Sequence, residues 1–297
     1  MWSSYHVRVP GKWVLAGEHS VLKGASAIAI PHPTFALELT FQPQIWAKDE
    51  PHLKILPERA ISVVLQILSR MESLKGSQGK GRLVRPTGSL LIESSIPVGA
   101  GLGSSAALCV AMTKWAAPAF GISDEEVFGF ARSLEDQFHG RSSGMDVAAT
   151  AAGEVIRFSM AKGPEPMGVS KLPRFTFHDT GLRARTSECV VKVESFRAEQ
   201  VKESERWDRQ MGRASEVAEE GLLQFDAASA GNDRVGTEQA LLKVSESMNL
   251  ARECFEAWDL IPESVKILER GLREQGALAT KLTGAGGGGF VVALWND

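Results

Sequence analysis

A chain of 297 residues with 43% hydrophobic and 23% charged content reads as an ordinary folded protein, long enough for about two domains. Its formal net charge of -3 and scattered Lys and Arg give no general attraction to nucleic acid, and no run approaches the roughly 18 apolar residues of a membrane span. Cys109, Cys189 and Cys254 lie far apart without a C-x-x-C pair, which indicates neither a zinc site nor a disulfide framework and fits reduced thiols. The opening MWSSYHVRVPGKW lacks the apolar core of a signal peptide, so a cytoplasmic protein is expected.

In chain order, YHVRV, FALELTF and GSLLIES alternate or cluster apolar residues as strands do. Within the first 31 residues, Lys12 is expected in a turn beside a strand, with Glu18 and His19 behind Gly17; taken singly, each would be surface decoration. Pro57 to Gly76 repeats apolar residues every three or four positions, and its Pro start and Gly stop predict a helix. GSQGKGRLVRPTG, which follows, reads as a surface turn.

PVGAGLGSSAALCVAM then places glycines and two serines before a nearly all-apolar helix, Ser104 to Ala117. A glycine run entering a helix presents backbone N–H groups at the positive end of the helix dipole, which makes an anion cradle. The hydroxyls of Ser104 and Ser105 could add donors, or an oxygen ligand for a hard cation such as Mg²⁺. No Gly-Lys-Ser/Thr closes the tract and no G-x-S-x-G occurs in it, so it is neither a Walker A loop nor a nucleophile elbow. A glycine turn packed tightly on a helix is the other reading of this segment.

Ser123 and Glu126 form a capping-box pattern for a helix that should run to His139-Gly140, with Glu135 near its C-terminal end. A carboxylate there opposes the helix dipole and is either solvated or partnered, for instance by a metal ion. Asp146 follows across a glycine- and serine-rich bend that could bring the two carboxylates together, one to hold metal and one to take a proton. KGPEPMGVSKLP, between the strand-like EVIRF and RFTFHD, is the expected domain boundary. Helices are expected from about Phe196 to Phe225, Thr237 to Trp258 and Pro262 to Gln275, and a glycine tract between two β-type segments closes the chain. Strands and helices grouped in blocks predict an α+β fold.

PVGAGLGSSAA resembles the second motif of the GHMP kinases, KLTGAGGGGFVVAL the third, and PGKWVLAGEHSVLKG the first. Within that superfamily, GEHSV, HGRSSGMD and DTGLRARTSE are most similar to the mevalonate kinase branch, with Arg183 where that branch often has lysine. The resemblance implies an N-terminal domain like ribosomal protein S5 domain 2 (residues 1–165) and a ferredoxin-like C-terminal domain (residues 166–297). It implies ATP and Mg²⁺ as cofactors and phosphorylation of the primary alcohol of mevalonate, a step of isoprenoid precursor synthesis. Another acceptor of the superfamily, such as phosphomevalonate or a sugar, or a catalytically silent nucleotide sensor, would be the alternative.

Carried over by position, the resemblance makes Gly99, Ala100, Gly101, Leu102, Gly103, Ser104 and Ser105 the phosphate loop. Ser105 and Glu135 become magnesium ligands. Asp146 becomes the proposed base, and Lys12 the cation near that base and the substrate hydroxyl. Glu18, His19, Thr186, Gly284 and Ala285 become contacts to the acid substrate. A small-molecule substrate is implied, without nucleic acid or membrane, and a homodimer is compatible with it.

Overall fold

The computed structural model describes residues 2–44, 53–76, 86–139 and 143–296. Two compact units emerge that are not successive halves of the chain. Unit 1 takes Met1–Gly11, His32–Pro97 and Gly103–Ala151; unit 2 takes Lys12–Pro31, Val98–Leu102 and Ala152–Asp297. The expected boundary at residues 165/166 falls inside unit 2.

Two long strands, β1 (Tyr5–Ala16) and β2 (Ala27–Pro43), contribute to each unit in turn. In unit 1 the latter part of β2 alternates buried Leu37, Leu39 and Phe41 with the half-buried Glu38 and Thr40, the period-two pattern of a strand with one covered face. It pairs antiparallel with β4 (Gly88–Ser94), Phe41 opposite Leu90, and β4 pairs parallel with β3 (Leu53–Leu56). The helix expected from Pro57 begins with one 3-10 turn, Glu58–Ala60, before α1 (Ile61–Gly76), a common form for a helix N-terminus. Val64, Ile67 and Met71 supply its buried stripe.

Next come α2 (Ser104–Phe120), α3 (Asp124–His139) and α4 (Met145–Ala152). The Ser123 backbone N–H donates to Glu126 Oε2 at 2.9 Å, the return bond of the predicted capping box. Trp115 on α2 meets Trp2 and Phe41 at ring separations of 4.7 and 5.2 Å, which anchors the helix on the sheet of unit 1. Residues 77–85 of the expected surface turn and the bend residues 140–142 lie outside the described residues.

In unit 2 the start of β2 pairs antiparallel with β5 (Ile156–Ser159), which turns back into β6 (Gly163–Pro166). The stretch KGPEPMGVSKLP, expected to be the domain boundary, therefore contains a short strand on the sheet edge, where missing N–H donors cost little. A second sheet has the antiparallel order β7-β9-β8, from β7 (Phe175–Asp179), β8 (Ala279–Leu282) and β9 (Phe290–Leu294). Every residue of β8 and β9 is buried.

Four helices complete this unit: α5 (Thr186–Glu199), α6 (Val201–Ala230), α7 (Arg234–Ala257) and α8 (Glu263–Glu274). The single helix expected from Phe196 is two helices broken at Gln200, whose φ and ψ are −128° and 60°. Most of α5 is exposed, so it carries too faint an apolar stripe to be read from periodicity. Among the described residues no helix is long and apolar enough to cross a membrane.

Candidate functional site

Lys12 corrects one expectation, because it lies inside β1 rather than in a turn and is only 2% exposed. Pro10-Gly11 suggested a break, but the strand stays extended through them, and the Lys12 N–H donates to Leu102 O of the glycine loop at 3.0 Å. The first and second motifs therefore meet through the backbone. In that loop Gly99, Gly101 and Gly103 all have positive φ, and Gly103 is the N-cap of α2 without a side-chain cap. Ser104 and Ser105 form the first turn of the helix, where N–H groups lack intrahelical acceptors.

The third motif backs this loop. A Cβ on Gly284 would stand 3.1 Å from Gly101 Cα, and one on Gly289 would be 2.6 Å from Ala100 O. Backbone lies against backbone here, which is why both segments are rich in glycine.

Two adjacent residues of the first motif are tied to the same segment. Glu18, 3% exposed, accepts a hydrogen bond from Lys281 Nζ at 2.6 Å, and Lys281 also donates to Val14 O at 3.2 Å. Burial pushes the Glu18 carboxyl above the usual carboxylate range, and the Lys281 cation pulls against that rise. Glu18 Oε2 is buried without a hydrogen-bond partner among the described residues. His19 Nε2 stands 2.9 Å from Ala285 O. A carbonyl only accepts, so Nε2 carries the proton and Nδ1 is the acceptor of the neutral ring. Burial lowers the His19 pKa to about 4, which keeps the ring neutral at pH 7. Phe255 and Trp258 present ring contacts to it at 6.1 and 5.6 Å.

Unit 1 carries a separate pair. Ser105 Oγ on α2 lies 3.5 Å from Glu135 Oε1 on α3, and Glu135 is 2% exposed. The geometry offers two hard oxygen donors side by side. Asp146 is half-buried in the first turn of α4, the helix end that favours an anion. Thr186 begins α5 and is exposed. Arg183 is clamped by Asp179 through two 2.7 Å bonds, and its Cδ would be 4.0 Å from a Cβ on Gly99.

Sequence reasoning missed Lys281, Thr283, Arg197 and Asp208. Lys281 left a usable signal, a lysine in the middle of the β-type segment LATKL. Thr283 Oγ1 accepts from Val14 N at 2.8 Å and donates to Val14 O at 3.1 Å, a bond pair 269 positions apart that no local pattern announces.

The sequence matches the GHMP kinases N terminal domain over residues 62–154 and the GHMP kinases C terminal domain over residues 238–297. A mevalonate kinase of Pyrococcus horikoshii is 30% identical over an alignment covering 96% of this chain and 87% of the relative. One from Aeropyrum pernix is 29% identical over 97% and 87%. In fold, the chain is similar to L. major mevalonate kinase in complex with R-mevalonate, with a TM-score of 0.78, 22% identity, and coverage of 100% and 89%. Lactococcus lactis galactokinase complexed with galactose gives a TM-score of 0.71 at 17% identity, covering 98% and 85%. Together with the three glycine- and charge-bearing motifs, these likenesses establish that the chain belongs to the GHMP kinases, ATP-dependent phosphotransferases with an alcohol acceptor.

Proposed function

We propose that this chain transfers the terminal phosphoryl group of ATP to the primary alcohol of mevalonate, giving 5-phosphomevalonate. The observation that carries this reading is the 30% identity to a mevalonate kinase along 96% of the chain, with all three motifs in order. A cytoplasmic place and a homodimer belong to the same reading.

In phosphoryl transfer an enzyme chiefly positions groups and neutralises charge. On this reading the loop from Gly99 to Ser105 gives its N–H groups to the phosphates, and the first turn of α2 adds its positive end. Ser105 and Glu135 would hold Mg²⁺, an ion usually bound by one or two protein oxygens together with phosphate oxygens, and their 3.5 Å approach suits that use. Bound there, Mg²⁺ would neutralise phosphate charge. Asp146 takes the proton of the acceptor alcohol, and Lys12 offsets the negative charge developing on its oxygen. His19, neutral and donating from Nε2 to Ala285, turns Nδ1 to a substrate hydroxyl. Glu18 Oε2, a buried acceptor, suits a donor on the same substrate.

Purified protein incubated with MgATP and, separately, mevalonate, phosphomevalonate, homoserine, galactose or no acceptor tests the reading by ADP release and product mass. Mevalonate-dependent ADP with one phosphate added to the alcohol is expected. Turnover confined to a different acceptor would reassign the substrate, and nucleotide binding with no product would leave a sensor of the same fold.

A further inference from the structure

His19 has φ 60° and ψ −43°, a backbone conformation unfavourable for a residue with a Cβ. Such a residue persists only where its neighbours hold it. The surrounding contacts converge on two side chains that the catalytic reading does not use. Arg197 on α5 is 8% exposed and donates through NH2 to His19 O at 3.4 Å. Its Nε and NH2 also donate to the two oxygens of Asp208 on α6, at 3.0 and 2.5 Å, and NH1 donates to Glu194 Oε1 at 2.7 Å. Asp208 Oδ1 in turn accepts from the fully buried Ser20 Oγ at 2.7 Å. The peptide after His19 is thus gripped twice: its carbonyl by Arg197, and the next side chain by Asp208.

The same guanidinium lies 5.9 Å from the ring centroid of Trp258, the indole that His19 meets with its ring. Backbone and ring of His19 therefore share one support. Its planar fork satisfies Asp208 with two donors while a third reaches the carbonyl, a geometry that a lysine ammonium does not reproduce.

We propose that Arg197 and Asp208 are positioning residues for the acceptor, fixing the turn at His19 so that Nε2 stays on Ala285 O and Nδ1 faces the substrate. This rests on the reading of His19 as an acceptor contact. The pair acts through His19 and touches neither phosphate nor the reacting oxygen, so its removal should weaken acceptor binding and spare ATP.

The test compares wild type with Asp208→Asn, Arg197→Met, Arg197→Lys and Ser20→Ala in the full chain. It reads KM for acceptor, KM for ATP, kcat, and the ¹⁵N shifts of the His19 ring, assigned with His19→Gln. Asp208→Asn and Arg197→Met should raise the acceptor KM tenfold or more and leave the ATP KM within twofold. Arg197→Lys should recover part of the loss. The His19 ring should pass from a single Nε2–H tautomer to an averaged pair. An unchanged acceptor KM, parallel rises for both substrates, or an unchanged tautomer would overturn the proposal. Should Arg197→Met fail to fold, Asp208→Asn and Ser20→Ala give the same readouts. If wild type uses an acceptor other than mevalonate, the mevalonate reading falls and the KM ratios for that acceptor decide the pair's role. If wild type has no turnover, the ring tautomer decides it.

Discussion

Glu18 and Lys281, 263 positions apart, form an ion pair at 2.6 Å with neither side chain more than 3% exposed. Removing one partner leaves the other charge buried, which typically costs about 3–5 kcal/mol. Lys281→Met should therefore lower the melting temperature by roughly 10 °C. Adding Glu18→Leu to it should restore most of that loss, measured by calorimetry of the single and double variants. Equal melting temperatures for wild type and Lys281→Met would show that the pair contributes nothing net.

The depressed pKa of His19 makes stability depend on pH. The unfolded ring titrates near 6.5 and the folded ring at about 4, so between those values the unfolded chain binds the additional proton. The His19 contribution is complete above pH 6.5 and is lost as pH falls towards 4. Its ceiling is about 3 kcal/mol. His32, also lowered to about 4 by burial, adds to the same window. His19→Asn, a residue that tolerates positive φ, should flatten the urea-unfolding stability profile between pH 7 and 5 relative to wild type. A profile as steep as that of wild type would refute it.

Gly284 and Gly101 test the support of the phosphate loop. Gly284→Ala would put a Cβ at φ 90° and 3.1 Å from the Gly101 backbone, a strain of about 1–3 kcal/mol. The ATP KM should rise severalfold. Gly271→Ala in α8, where a Cβ meets nothing within 4 Å, is the control and should leave kinetics unchanged.

Asp146→Asn should lower kcat by orders of magnitude and leave MgATP affinity nearly unchanged, as for a group acting mainly in the transition state. Ser105→Ala and Glu135→Gln should instead raise the Mg²⁺ concentration needed for half-maximal rate. Wild-type turnover in the first, or an unchanged metal requirement in the others, would remove those roles.

Local signals proved readable where one segment carries its own instructions. The Ser123–Glu126 cap, the β4 segment GSLLIES and the glycine tract between β8 and β9 all lie where the residues place them. Lys12 was misplaced because Pro-Gly reads as a turn locally, whereas Leu102 supplies the acceptor that keeps the strand extended. The start of α5 was lost because an exposed helix has little apolar periodicity to show. Arg197 and Asp208 carry no local signal of their role, since the turn they hold, at His19 and Ser20, lies 178 and 188 positions away.

The bonds joining Val14 and Glu18 to Thr283 and Lys281 carry a consequence for synthesis on the ribosome. Closing a loop that long is paid mostly in entropy, and the contacts that repay it do not exist until β8 and the residues after it emerge. The turn with Glu18 and His19 must wait, apolar neighbours and all, until Lys281 and Thr283 have been made. A nascent chain arrested before Ala279 should bind chaperones through this segment, and release it only when β8 and β9 arrive.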